Sequence, residues 1–357
     1  MSCLDIVIPT FGFGRHGGLR VLSELGTEWV RKGHRVRIMI PSTSEPPYFP
    51  TEAEAIRYEV DGRSRRRWWP MSSISTATNS MRSLSRALSQ HARNADLVLA
   101  NQNQTAWSVA VANLRGRRGY YVQAYEPDFY DALPTRARMW FRTVARTSYA
   151  LPLRQVVNSP VYLHYPGIRA ERWVPPGVDR SIFRPLRESQ SSGPPVMSCI
   201  GRRESWKGTA DVISAYQRLK ESRHDLRLRI AFEVPDGTDL PPGADLVIPK
   251  NDSELADFYR SADVQVALGT IQLGAPHYPV IEAMACGVPV VTTGYLPATE
   301  RNAWLVPPND PAAVASAVEA VLDHPSDTAK RVADAEAAVR SFGWPQVAAD
   351  LLESLLD

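Results

Sequence analysis

Cysteine is scarce in this chain of 357 residues: Cys3, Cys199 and Cys286 are odd in number and widely spaced. They make neither a disulfide framework nor a zinc pattern, which points to a reducing compartment. No uninterrupted run of about 18 apolar residues occurs, so a spanning helix is not expected. The opening MSCLDIVIPT enters a strand directly, without the basic and apolar stretches of a secretory leader. An excess of one charge is nearly missing too, and a net +3 is too small by itself to argue for nucleic acid. No internal repeat and no Ser-His-Asp or Cys-His signature is evident. What remains is a cytoplasmic α/β protein, too long for one ordinary core and suited to two domains.

The stretch around which the chain is organised is Gly274-Ala-Pro-His-Tyr-Pro-Val-Ile-Glu-Ala-Met-Ala-Cys-Gly-Val-Pro-Val-Val-Thr-Thr293. It predicts a loop, a short helix with Pro279 first, a stop at Gly287 and a buried strand from Val288 to Val291. A loop feeding a helix N-terminus offers backbone N–H groups, Val280 among them, and a positive dipole end to an anion. Glu282 is placed in the first turn. A carboxylate beside a phosphate repels it, so its expected work is to accept hydrogen bonds from sugar hydroxyls. Together these point to a nucleotide-sugar pocket.

In the first half, Leu4 to Pro9 predicts a strand, followed by a glycine-rich turn through Gly17 and Gly18, a helix from about Leu19 to Lys32 and a strand over Val36 to Ile40. That is the opening unit of a doubly wound sheet, with Gly17 and Gly18 as phosphate-side candidates. Gly12, Gly14 and Gly17 fit a dinucleotide spacing, but Pro41-Ser-Thr supplies no acid to end the second strand. Arg63-Ser-Arg-Arg-Arg-Trp-Trp69 has three readings: a peripheral contact with an anionic acceptor at a membrane surface, a solvated loop with its tryptophans tucked underneath, or nucleic acid, disfavoured because no other basic stretch continues the patch. Further strands are expected at Asp96 to Ala100 and Gly119 to Gln123, and the end of the latter aims Gln123, Tyr125, Glu126 and Asp128 at a cleft. Glu126 and Asp128 are candidates to orient an acceptor hydroxyl or balance a developing cation. A basic amphipathic helix follows, about Thr135 to Ala150, then a strand over Arg154 to Ser159.

The aperiodic, proline-rich Val174 to Pro185 suits an interdomain connection. The division expected is 1–170 for an acceptor-side domain, 171–190 for the linker, 191–340 for the nucleotide-sugar domain and 341–357 for a final helix crossing back. Val196 to Ile200 opens the second domain as a strand. Its turn, Gly201-Arg-Arg-Glu-Ser-Trp-Lys-Gly208, carries Arg202 and Lys207 as a diphosphate clamp. Helices are expected from Thr209, from a cap at Asp252 or Ser253, and behind Asp310-Pro311.

In order and spacing, these landmarks resemble a GT-B glycosyltransferase of the large retaining family 4 (glycosyl transferases group 1). The resemblance rests on Gly17-Gly18, Gly201-Arg202, Lys207-Gly208, the run from Pro176 to Pro185, Glu282 to Val291 and the closing Phe342-Gly-Trp344. It implies two Rossmann-like doubly wound domains facing across a cleft. The family carries two glutamates separated by seven residues; here Glu282 matches the second, whereas the first position is Gly274. Tyr120 to Tyr130 and Pro276-His-Tyr-Pro279 look more like rhamnosyltransferases of S-layer and O-antigen synthesis. Gln123 stands where the family has histidine, and Ala124 where that subset has an acid.

The resemblance implies glycosyl transfer from a nucleotide diphospho-sugar with retention and without a metal. Arg202, Lys207 and helix N-termini would stabilise the leaving diphosphate, and Glu282 would hold the ribose. His277 and Tyr278 would lie on the sugar or acceptor side with Gln123, Tyr125 and Glu126. The missing first glutamate implies an altered donor, a deoxysugar such as L-rhamnose. The acceptor would be a glycan, a lipid-linked or a small-molecule hydroxyl, and nucleic acid is not an expected partner. The rival readings are a nucleotide-sugar epimerase or a phosphorylase on the same fold, a non-catalytic nucleotide-sugar-binding subunit and, last, an NAD-dependent dehydrogenase, for which the ribose-binding acid is lacking.

Overall fold

The computed structural model describes residues 3–14, 17–60, 73–186 and 193–357. The 63–69 segment lies outside the described residues, as does most of the polar stretch that begins at Arg187. The chain divides into two compact units, residues 1–177 with 344–357, and residues 178–343.

The first unit runs β1 (Asp5–Pro9), α1 (Gly17–Arg31), β2 (Arg35–Pro41), β3 (Glu54–Tyr58), α2 (Ile74–His91), β4 (Leu97–Ala100), α3 (Asn103–Val111), β5 (Arg117–Val122), α4 (Thr135–Ser148) and β6 (Arg154–Val157). The second runs β7 (Val196–Ile200), α5 (Thr209–Lys220), β8 (Arg227–Ala231), β9 (Ala244–Val247), α6 (Asp252–Arg260), β10 (Val264–Ala267), α7 (Tyr278–Ala285), β11 (Val290–Thr292), β12 (Trp304–Leu305), α8 (Pro311–Asp323) and α9 (Pro325–Ala338). The last helix, α10 (Trp344–Leu356), returns to the first unit.

Each sheet is six-stranded and parallel throughout, with orders β3-β2-β1-β4-β5-β6 and β9-β8-β7-β10-β11-β12. Counted from the first strand of each unit, the two orders are the same doubly wound pattern. Strands such as Ile6-Val-Ile8 and Leu97 to Ala100 are apolar and buried because helices cover both sheet faces. The chain winds first one way from β1 and then the other, so right-handed crossovers put α1 on one face and α2, α3 and α4 on the other. Trp29 of α1, fully buried, donates from Nε1 to the Ala348 carbonyl of α10 at 2.8 Å and ties that layer together. In the second unit α5 packs with α8, while α6, α7 and α9 share the opposite apolar cluster.

Two local expectations change. The cap of α6 is Asn251, whose side chain accepts from the Glu254 N–H at 2.9 Å, rather than Asp252 or Ser253. Helix α3 has no counterpart among the expected elements. Six of its nine residues are buried, so it lacks the polar face that would make its period visible.

Candidate functional site

The predicted site residues of the second unit lie in the segments that follow β7 and β10, with Arg202 and Lys207 after the first and His277 after the second. Gly201 leaves β7 so close to the neighbouring backbone that a Cβ would stand 1.8 Å from the Glu233 carbonyl oxygen. Thr209, first residue of α5, then pins the turn: its Oγ1 accepts from the Arg202 N–H at 2.9 Å and donates to the Arg202 carbonyl at 3.0 Å. The Arg202 guanidinium lies over the Phe232 ring, 5.7 Å from its centre. Phe232 holds a left-handed φ of 76°, an unusual conformation for an aromatic residue at the end of β8. Lys207 ends a short 3-10 turn and Gly208 follows at φ 70°, where a Cβ would meet that of Leu268 at 2.6 Å. The turn is joined to the loop after β10 by the Thr270 N–H, which donates to the Trp206 carbonyl at 3.0 Å.

That second loop is stapled to the segment after β11. Thr293 Oγ1 accepts from the Gly269 N–H and donates to its carbonyl, at 3.1 and 2.9 Å. The Gly274 N–H donates to the Gly294 carbonyl at 2.9 Å, and the Tyr295 hydroxyl to that of Ile271 at 3.1 Å. His277, the residue before α7, packs its ring 4.6 Å from that of Tyr295, and its Nδ1 is buried with no hydrogen-bond partner among the described residues. Burial, then the charges of Lys207 and Arg202, hold the imidazole well below its usual range, so it is neutral near pH 7. Burial and Arg202 likewise lower the Lys207 ammonium, with Glu204 opposing. Two cations and a neutral imidazole therefore converge on one helix start, where the cations disfavour the charged form of His277 and Arg202 that of Lys207, which is the electrostatic condition for receiving an anion.

Three residues of α7 are placed differently from the expectation. Glu282 is the fifth residue of α7, not in its first turn, and is buried with the Tyr259 hydroxyl donating to Oε2 at 2.9 Å. Burial and the Glu282 charge raise the Tyr259 phenol well above its usual range, so it remains a donor. Pro279 is the second helical residue rather than the first, and the Val280 N–H is turned to the His277 carbonyl at 2.9 Å. A tightened first turn uses that donor inside the helix. Tyr278 opens α7 half-buried, and Gly274 takes a φ of 84°.

In the first unit, Gly17 and Gly18 open α1, and Gln123 Nε2 donates to the Gly18 carbonyl at 3.3 Å. A Cβ at Gly18 would crowd the Gln123 amide oxygen at 3.2 Å. Tyr125 is buried in a stack, its ring 5.6 Å from Tyr149 and 4.8 Å from Tyr165. Glu126 caps α3: Oε1 accepts from the Asn103 N–H at 2.6 Å and from the Tyr120 hydroxyl at 3.3 Å, and Oε2 from Asn103 Nδ2. Burial pushes its carboxyl up to about 7, against the Asn103 hydrogen bonds that favour the ionised form. Asn103, Tyr259, Tyr295 and Phe232 were not among the predicted site residues. Their roles come from partners 18 or more residues away, or from a backbone angle, and no local spacing signals either.

Residues 194–324 match the family model described as Glycosyl transferases group 1. The chain is 32% identical over 211 residues to a D-inositol 3-phosphate glycosyltransferase of Arthrobacter sp. (strain FB24), covering 50% of this chain and 48% of that protein. It is 30% identical over 225 residues to the O-antigen biosynthesis protein RfbC of Myxococcus xanthus, covering 59% of this chain and 16% of RfbC. The chain thus spans about half the length of the first of these relatives and a smaller part of the second. Among solved structures it resembles sucrose-phosphate synthase from Thermosynechococcus elongatus, with a TM-score of 0.81, 17% identity and coverage of 98% of this chain and 97% of that one. It also resembles Anabaena HepE in complex with UDP and glucose, with a TM-score of 0.74, 15% identity and coverage of 99% and 100%. These likenesses establish the GT-B fold.

Proposed function

We propose that the protein is a retaining glycosyltransferase that moves a sugar from a nucleotide diphospho-sugar to a hydroxyl acceptor. The observation that carries this reading is the convergence of Arg202, Lys207 and His277 on the start of α7. In transfer, negative charge grows on the departing diphosphate, and fixed cations at a helix N-terminus stabilise that charge as it forms. With those cations in place the reaction as we infer it needs no metal. The departing diphosphate is the base nearest the acceptor hydroxyl, so no side-chain nucleophile is required. Glu282, oriented by Tyr259, is assigned to the ribose hydroxyls. The first unit is assigned to the acceptor, a glycan, lipid-linked or small-molecule hydroxyl.

The donor we infer is a deoxysugar such as L-rhamnose. The family's first glutamate is Gly274 here, and its φ of 84° is one that a side chain at that position would strain to adopt. A sugar that lacks a hydroxyl has less need of that carboxylate.

Thermal-shift screening with thymidine-, uridine- and guanosine-diphospho-sugars tests the reading. The expected result is stabilisation by one nucleotide class, followed by release of its diphosphate only when an acceptor is added. Stabilisation by none of them overturns the site assignment. Donor binding without turnover across an acceptor panel replaces the transferase with a non-catalytic sugar-nucleotide-binding subunit.

A further inference from the structure

The helices on the two sheet faces of the first unit differ in charge. Helices α2, α3 and α4 together contain six arginines and no aspartate or glutamate. Helices α1 and α10, the layer on the other sheet face, contain two arginines and four acids. The basic layer is also the one with uncovered apolar side chains: Val111 at the end of α3 is 67% exposed and Met139 of α4 is 65% exposed. On α4 the exposed stripe is Arg136, Met139, Thr143 and Arg146, which spacings of three and four residues put on one face. Arg142 beside it pairs with Asp131 at 2.9 Å, and Trp107 of α3 donates to the Val144 carbonyl of α4 at 3.0 Å, fixing the two helices to each other. Between α2 and α3 runs an open groove of about 400 Å³ whose lining includes Met81, Arg82, Arg86, Trp107 and Val111.

We propose that this three-helix face rests on an anionic lipid surface. Arginine pairs its planar donors with phosphate, and each basic residue near an anionic bilayer adds attraction. The exposed Met139 and Val111 decide between partners. A nucleic acid offers such a surface phosphates but no apolar medium, whereas the headgroup boundary of a bilayer accepts both the guanidinium groups and the side chains between them. The inference does not depend on the glycosyl-transfer reading, because lipid binding is measured without turnover. It also owes nothing to the 63–69 segment.

The test is sedimentation of the full chain with vesicles of phosphatidylglycerol and phosphatidylcholine, against phosphatidylcholine alone. The expected result is at least about tenfold stronger partition onto the anionic vesicles, largely reversed at high salt. Arg136→Glu with Arg146→Glu lowers that partition by about tenfold or more, and Met139→Asp lowers it by a smaller factor. The thermal midpoint checks that each variant is folded, and Arg82→Glu replaces the double variant if it is not. Equal partition onto neutral vesicles overturns the proposal. So does wild-type partition of the folded variants, loss on replacing Arg63, Arg65, Arg66 and Arg67 instead, or tighter binding to duplex DNA than to anionic vesicles.

Discussion

The two units share one strand order and differ in what they leave unsatisfied at the ends of their strands. In the first, amide donors there are spent on the fold: Asn101 donates to the Pro9 carbonyl at 2.7 Å, Gln123 to Gly18 at 3.3 Å and Asn158 to Gln123 at 2.7 Å, and what is left without a partner among the described residues is neutral, the buried amide oxygens of Asn103 and Asn158. Even its carboxylate, Glu126, is occupied by Asn103 and Tyr120. In the second, Arg202, Lys207 and His277 are brought together at a cost to the charged forms of Lys207 and His277, and His277 Nδ1 is left without a partner among the described residues. An architecture of parallel strands and helices does not by itself make a ligand site; the unpaired charge does. The match to the Glycosyl transferases group 1 model, at 194–324, falls within this second unit.

The sharpest way to break the contrast is to remove one cation. Lys207→Ala is expected to lower donor turnover by roughly a thousandfold, the scale on which a preorganised charge acts on a departing anion. Gln123→Ala, at the corresponding edge of the first unit, is expected to lower it by only about tenfold. Steady-state kinetics on both variants, with circular dichroism to confirm folding, decides the matter. Comparable losses in the two would mean that the anion site is not confined to the second unit's side chains.

The fold was legible because periodicity is local. Apolar runs such as Leu97 to Ala100 and Val196 to Ile200, and helix stops at Gly33 and Gly287, are visible without any partner. The candidate site was legible as residue types but not as geometry. Arg202, Lys207 and His277 were identifiable from their loops, while the depth of Glu282 in α7 and the inward turn of the Val280 N–H depended on where the helix began. One residue of difference at a helix start moves a side chain by about 100° around its axis. Tyr259 donating to Glu282 spans 23 residues, and α3 is hidden by its own burial. What escaped the sequence was what the tertiary fold decides.

A second expectation turns on two glycines with left-handed backbones. Gly208 has φ 70° and would drive a Cβ to 2.6 Å from that of Leu268, whereas Gly33 has φ 85° with nothing within 4 Å. Alanine at Gly33 meets only backbone strain, about 1 kcal/mol, while at Gly208 strain and overlap together come to about 3 kcal/mol. Denaturant unfolding of the two variants measures the difference. Equal losses would show that the turn at Gly208 can relax, and with it the placement of Lys207.

The smallest expected effect belongs to Glu126, and it tests whether the first unit's carboxylate is structural. Its carboxyl is held at about 7 against an ordinary 4.5, chiefly by burial. A carboxyl raised in the folded state binds its proton more tightly there than in the unfolded chain. The resulting stability is fully present below about pH 4.5 and is lost as pH rises toward about 7. Partial access to solvent reduces the effect below what the full shift implies, to about 2 kcal/mol. Glu126→Gln removes the titration while keeping an oxygen for the Asn103 N–H, so its unfolding free energy is expected to lose that decline between pH 5 and 7.5. A variant that keeps the wild-type slope would place the titration on another group. A variant that flattens the slope but abolishes transfer at constant donor binding would return Glu126 to the chemistry and narrow the contrast between the units.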